Sequence, residues 1–496
     1  MTLKNIRVPT KYGLRTTRAI LIFLIVSSVL ILLMGKPTHC AQEYVYYGVV
    51  PPKIHFARKS VSAAVDFEIP PWSVAGSALV SVVGSRDNTN VKIYSLPEGA
   101  LVGEAALNTM DKRFFSLPNG TFFKVVSNDM VSAVLLGWGP LDPSDIEGPT
   151  PHAFYTATDG SYVGRELVFV ACQWSSTPSP YRVIALEDAQ VTITREDGTK
   201  QSFELEANTD EKLALKAFSA YKVESTGNVM VQSSGLGEWQ GACEEDVKSS
   251  FFVPSAQGGF MGKRFYSDST ASWDPIDDNG FRISALEDCT VTVWDVRSRR
   301  TIQELEVKRG AGASIKPKGE LIALESDKPV TLAYIENGSM GSEESYHTCS
   351  YNAGVMYMGV KANEETPFFV PADSNFEAYV FAYEDTVVKI GDLTLPTKAD
   401  SYFQMPIPGT HKIISDKNVV IEVIHWPKVP SIQGLKSFGA VVPCIQAANV
   451  TPDVKLTPLG AGEEEKFPTT LIIAGAAAAV VVVAAAGFIA LRRSTK

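Results

Sequence analysis

The stretch ISALEDCTVTVWD, Ile283 to Asp295, decides the fold, because the chain says nearly the same thing three more times. One hundred residues earlier it reads VIALEDAQVTITR (Val183 to Arg195), and further on VFAYEDTVVKIGD (Val380 to Asp392). The first copy is the most diverged, VVGSRDNTNVKIYS (Val82 to Ser95), with Asp87-Asn88 in place of Glu-Asp. The strand positions Val91, Val191, Val291 and Val388 are spaced by 100, 100 and 97 residues. A fixed period means a repeated structural unit. The Glu-Asp pair is read as a polar reversal between two strands rather than as paired catalytic acids.

A second phrase recurs later in each unit: VVSNDMVSAVL (Val125 to Leu135), VESTGNVMVQS (Val223 to Ser233), ALESDKPVTLAY (Ala323 to Tyr334) and IISDKNVVIEVI (Ile413 to Ile424). Turn residues between two alternating β-branched runs predict a hairpin. A third phrase joins units, FYTATDGSYVGREL (Phe154 to Leu167) resembling FVPSAQGGFMGKRF (Phe252 to Phe265). Phe369-Val370-Pro371 echoes it, and Gly48-Val49-Val50-Pro51 and Ala440-Val441-Val442-Pro443 read as worn first and last copies. Helical periodicity over a dozen residues is almost missing between Gln42 and Lys466. The expected fold class is therefore all-β: tandem β-sandwich-like repeats of about 100 residues, each large enough for a two-sheet core. The expected units are 42–150, 151–250, 251–365 and 366–446.

The ends differ in kind. Leu471 to Leu491 is 21 residues without a charge, followed at once by Arg492, Arg493 and Lys496. That length spans a bilayer core of about 30 Å, and the basic stop fits a cytoplasmic tail. The N-terminus carries Lys4, Arg7, Lys11, Arg15 and Arg18, then an apolar run from Ala19 to Met34. Residues 1–41 read as an export signal cleaved near Ala41, or a signal anchor. Residues 447–470 read as a flexible stalk, 471–491 as the transmembrane helix and 492–496 as the tail. The expected location is the cell membrane, single-pass, with the bulk of the chain extracellular.

Between Ala19 and Leu491 there are 37 lysines and arginines against 55 acids, a net charge of −18. Such a surface repels nucleic acid. Three sequons, at Asn119, Asn337 and Asn449, are candidate glycosylation sites. Of the six cysteines, Cys40 departs with the signal. An exported location permits disulfides, and the arrangement favours Cys172–Cys243 and Cys289–Cys349, each worth roughly 4 kcal/mol by chain entropy. Cys444 is left as a buried thiol or an intermolecular bridge.

Chemistry-bearing motifs are sparse. The six histidines show no metal-ligand spacing, and neither a Gly-x-Ser-x-Gly elbow nor a phosphate loop is present. His347 lies near Cys349, but an exported location assigns Cys349 to a disulfide. No cofactor is expected. The loop holding Asp274, Asp277 and Asp278 concentrates hard oxygens; it is read as an acidic loop, with calcium as the specific alternative. Trp174 and Trp273 precede equivalent strands, where each either caps its own core or contacts a ligand.

The phrases Ala285-Leu286-Glu287-Asp288, Val291-Thr292-Val293, Ser326-Asp327-Lys328-Pro329-Val330, Val253-Pro254 and Gly262-Lys263-Arg264-Phe265 resemble the β-repeat of the IgG-Fc-binding protein N-terminal region family. The resemblance covers residues of about 75–445. It implies extracellular β-modules with binding or adhesive roles; it supplies no catalytic residues and places no IgG contact. The function expected is a cell-surface protein, not an enzyme, whose repetitive ectodomain serves adhesion or binds a surface protein or glycan. The alternatives are a self-associating surface-layer scaffold and a surface glycan hydrolase.

Overall fold

The structure is a computed structural model. It describes residues 43–50, 77–118, 120–137, 150–155, 162–171, 179–233, 251–256, 260–270, 280–337, 354–370, 375–426, 437–446 and 459. Two compact units divide the chain, 1–43 and 44–496, and of the first only Glu43 is described. The second is all-β, and its described residues include no α-helix. None of them forms a helix long and apolar enough to cross a membrane. The export segment, the stalk except Leu459, and the 471–491 run lie outside the described residues.

The first sandwich contains β1 (Tyr44–Val49), β2 (Ser77–Gly84), β3 (Thr89–Leu96), β4 (Ala100–Leu107), β5 (Lys112–Pro118), β6 (Phe122–Ser127), β7 (Val131–Gly137) and β8 (Thr150–Tyr155). One sheet runs β1-β6-β3-β4 and the other β5-β2-β7-β8. Both feed one core: Tyr47, Val91, Ile93 and Phe123 from the first, Val80, Val82, Leu117 and Leu135 from the second. β3 alternates as its sequence predicts, with Thr89, Val91 and Ile93 inward and Asn90 and Lys92 outward. Each fully buried Val or Ile of this kind contributes roughly 1.5–3 kcal/mol.

The second sandwich repeats the plan with β9 (Gly164–Val170), β10 (Ser179–Ala185), β11 (Ala189–Arg195), β12 (Lys200–Leu205), β13 (Asp210–Leu215) and β14 (Ala220–Ser233). The third has β15 (Gly262–Asp268), β16 (Gly280–Ala285), β17 (Cys289–Asp295), β18 (Thr301–Val307), β19 (Gly312–Ile315) and β20 (Leu321–Asn337). In both, the path that β6 and β7 take as two strands is one long strand. The first half of β14 pairs with β9 and β11, and its second half with β10. A register shift between Glu224 and Val229 marks the change of partners, and β14 thereby joins all six strands into one continuous sheet. The repeated second phrase is therefore not the simple hairpin its turn residues predict: it links two sheets in the first and fourth repeats and is one continuous strand in the second and third.

The fourth sandwich contains β21 (Gly354–Val360), β22 (Thr366–Val370), β23 (Asn375–Ala382), β24 (Thr386–Ile390), β25 (Leu393–Thr397), β26 (Ser401–Gln404), β27 (Gly409–Ser415) and β28 (Val419–Trp426). Its sheets are β21-β28-β23-β26 and β22-β27-β24-β25. The last strand, β29 (Ser437–Val442), does not join it. β29 pairs with β20, Leu332 opposite Val442 through Asn337 opposite Ser437. The chain thus leaves the third sandwich unfinished, builds the fourth, and returns to complete the third. The expected span 366–446 needs correction accordingly: strand pairing gives the fourth sandwich 354–426 and places 437–442 in the third. Likewise β8, expected to open the second unit at 151, pairs with β7 of the first.

What holds β29 is local. Gly439 has no Cβ, which would lie 3.0 Å from the ring of Phe251, and Gly262 leaves the space that the Cys444 sulfur fills. Beyond β29, Cys444 N donates to Phe260 O (3.0 Å) and Ile445 N to Arg264 O (3.0 Å). The four sandwiches also close on themselves. β9 lies against β16, β21 against β29, and β21 and β22 against β8 and β7 of the first sandwich.

Candidate functional site

The recurrent acids come first, because they were the obvious candidates for chemistry. In every sandwich the aspartate of the opening turn accepts a hydrogen bond from a backbone amide in the turn that follows the next two strands. The pairs are Thr109 N to Asp87 (2.9 Å), Ala207 N to Asp188 (2.9 Å), Arg309 N to Asp288 (2.8 Å) and Ala399 N to Asp385 (2.8 Å). These amides hold Asp87, Asp288 and Asp385 below the usual carboxylate range. The next residue is left-handed each time: Met110, Asn208, Gly310 and Asp400. The second phrase closes the same corner from the other side. Its turn residue accepts from the strand that follows the opening turn: Asn90 N to Asn128 (2.6 Å), Gln190 N to Thr226 (2.9 Å), Thr290 N to Asp327 (2.9 Å) and Val387 N to Asp416 (2.7 Å). The acids of the repeat are clamps on backbone, and the two phrases recur together because they meet.

In the first copy the clamp is Asp87, one residue earlier than its position relative to Val91 would suggest. Asn88 adopts a left-handed φ of 63° and absorbs the extra residue.

The groups that sequence reading missed sit where sandwiches join, and the left-handed turn residue is reused there. Tyr47 OH of the first sandwich donates to Asn208 Oδ1 of the second (2.6 Å), and Lys124 Nζ donates to the same oxygen (3.2 Å). The Gln232 carboxamide pairs with the backbone of Val49, accepting from its N–H (2.9 Å) and donating to its carbonyl (3.1 Å). At the third–fourth junction Tyr266 OH donates to Asp400 Oδ1 (2.5 Å). Arg264 lies 3.5 Å from the same Asp400 oxygen and 2.9 Å from Glu325. Its guanidinium stacks between Trp294 and Tyr383, 5.1 and 5.2 Å from the ring centres.

Beneath this lies the most enclosed carboxyl described, Glu422 on β28, with no exposed surface. It accepts from Asp268 N (2.7 Å), Tyr357 OH (2.7 Å) and, at 3.4 Å, Ser267 Oγ. Burial pushes Glu422 well above the usual range, and the charge of neighbouring Asp268 adds to it. Asp268 itself accepts from Thr270 N (3.0 Å) and Oγ1 (2.7 Å) and is 2% exposed. The two carboxyls are near each other, but neither is open to a substrate in this form. Their partners belong to both sandwiches, so the cluster joins two units. Nothing in that sequence, YVFAYED or NVVIEVIHW, marks Glu422 except a charge at an inward position of an apolar strand.

The other expected site residues stand as follows. Cys289 is a buried free thiol at the first inward position of β17, where the sibling strands carry Thr89, Ala189 and Thr386. Burial pushes its thiol up. Its expected partner Cys349, and Cys172 and Cys243, lie outside the described residues. Cys444 is a buried free thiol. Asn119, Asn449, Trp174, Trp273, Asp274, Asp277 and Asp278 also lie outside the described residues; Asn337 ends β20. Among the described residues, no three His, Cys, Asp or Glu side chains are grouped to hold a metal ion.

Compared with known proteins, the sequence matches no family model and no curated protein. Among solved structures it is similar to one titled as the crystal structure of tetra-tandem repeat in extending region of large adhesion protein. That likeness has 10% identity and a TM-score of 0.10, over 75% of this chain and 96% of that chain.

Proposed function

We propose that this chain is a single-span cell-surface protein whose repetitive β ectodomain works by binding, in adhesion to a surface protein or glycan, and not by catalysis. The observation that supports it most is the employment of the repeat's acids. The aspartates that recur in all four units are committed to backbone amides, and the carboxyl pair enclosed among the described residues is sealed inside a junction. A repeat whose recurrent aspartates serve its own architecture is suited to presenting loops on a firm frame. On this reading the 471–491 run anchors the chain in the cell membrane, the ectodomain faces outward, and no cofactor takes part.

The test uses the full-length protein in lipid nanodiscs, probed against arrays of glycans and purified surface proteins and assayed for glycan hydrolysis. Saturable binding of one ligand class without turnover is expected. Turnover abolished by a single carboxylate substitution would overturn the proposal.

A further inference from the structure

We infer that the outer edge of the first sandwich, formed by β4 and β5, rests on the lipid surface. This inference depends on the anchoring role of residues 471–491. The starting observation is where exposed apolar side chains lie. Leu101 is 53% exposed, Val102 41% and Phe114 43%, and all three belong to the two outer strands on one side of this sandwich. β4 and β5 lie against each other, with Gly103 over the ring of Phe115. The corresponding outer strands of the second and third sandwiches are polar, whereas β25 of the fourth exposes Leu393 (45%). β12 carries Lys200, Gln201, Ser202 and Glu204, and β18 carries Thr301, Gln303, Glu304 and Glu306. By register against the third strand, Leu101 stands where the third sandwich has Thr301. β4 keeps one exposed acid, Glu104, but its first three residues expose apolar surface at an open sheet edge, and that surface calls for an occupant.

The second observation says which occupant. Leu459 is half-buried against the core of the first sandwich. Its side chain is 3.5 Å from where Gly99 would carry a Cβ, and Gly99 immediately precedes β4. Eleven residues then separate Leu459 from Leu471, where the apolar run begins. A chain of that length reaches at most about 40 Å. The chain is therefore pinned to the open edge just before the expected bilayer, which brings Leu101 and Val102 to the membrane side of the ectodomain.

The chemistry suits an interface. Lys112 reaches over the Phe114 ring, 5.8 Å from its centre, and Arg113 is exposed beside it. Apolar side chains flanked by basic ones settle at the head-group boundary, carbons inward and cations at the phosphates. The surface is zwitterionic lipid, because the net charge of −18 opposes an anionic leaflet.

The test places a photoreactive benzophenone residue at Val102, at Gln303 on the equivalent strand of the third sandwich, or at Val480 within the apolar run. Each full-length protein is reconstituted in phosphatidylcholine vesicles and irradiated. Lipid adducts at positions 102 and 480, at least about tenfold above those at 303, are expected. Adducts at 480 without adducts at 102 overturn the inference while leaving the anchor in place. Crosslinking of position 102 to a second copy overturns it in favour of a protein contact. Failure at 480 removes the anchor and the inference together.

Discussion

Two junctions in this molecule use the same position of the repeat and differ in what they put there. Between the first and second sandwiches, a buried tyrosine, Tyr47, meets the amide side chain of Asn208. Between the third and fourth, a buried tyrosine, Tyr266, meets the carboxylate of Asp400, with Arg264 beside it and Glu422 and Asp268 below. The left-handed turn residue is a docking point in both. The neutral version leaves nothing to titrate in the acidic range; the charged version ties the joint to pH. A repeat can thus keep its geometry while changing how firmly neighbouring units hold together.

The largest expected effect is at the base of the charged junction. Glu422→Ala removes a buried acceptor shared by Asp268 N and Tyr357 OH and costs about 3 kcal/mol. It lowers the thermal transition of the third and fourth sandwiches while leaving that of the first unmoved, which calorimetry resolves.

Next comes a matched pair. Tyr266→Phe removes a hydrogen bond to a carboxylate and costs about 2 kcal/mol, whereas Tyr47→Phe removes one to a neutral amide and costs about 1 kcal/mol. Equal losses would show that charge at the fourth sandwich's turn contributes nothing to the joint.

The pH response follows from the direction of each shift. Glu422 is raised, so the stability it contributes is fully present below the ordinary glutamate range and is lost as pH rises through its raised value. The groups facing it are Asp268, Tyr357 and Ser267, with Tyr379 and Glu377 behind. The exposed clamps Asp87, Asp288 and Asp385 are lowered, so their contribution is present at neutral pH and is lost on acidification. Melting the wild type and Glu422→Gln at several pH values separates the two. The variant keeps the acceptor without the charge, and its third–fourth transition is expected to lose the rise that mild acidification gives the wild type.

The smallest effect expected is at Cys289. Its sibling positions hold Ala189 and Thr residues, so Cys289→Ala changes stability by less than about 1 kcal/mol. A loss of roughly 4 kcal/mol would instead reveal a disulfide closing the 61-residue loop to Cys349.

Much of the architecture was legible because strands advertise themselves by alternation. Val191 and Ile193, or Val291 and Val293, repeat at a period that only a repeated sandwich explains. Two things were not legible. β21 and β29 are both generic apolar runs, GVMYMGV and SFGAVV, and alternation cannot say which edge a strand joins. That choice rests on Gly439 admitting Phe251 and Gly262 admitting Cys444, contacts between residues 182 or more positions apart. The clamp role of the aspartates was half legible: the turn was read from Glu-Asp, but the amide it holds lies 14 to 22 residues on. Glu422 gave no local signal, since its meaning depends on Asp268, 154 residues away.

The return of the chain to the third sandwich is the claim on which the junctions rest, and a cysteine pair tests it directly. Ala333 faces Val441 across β20 and β29, whereas Val423 on β28 faces Met356 of β21. Facing residues of an antiparallel pair lie within reach of a disulfide. In the full-length protein, Ala333→Cys with Val441→Cys is expected to crosslink on mild oxidation, and Val423→Cys with Val441→Cys is not. The reverse pattern would mean that the last strand closes the fourth sandwich as in a simple tandem array, and would contradict this account.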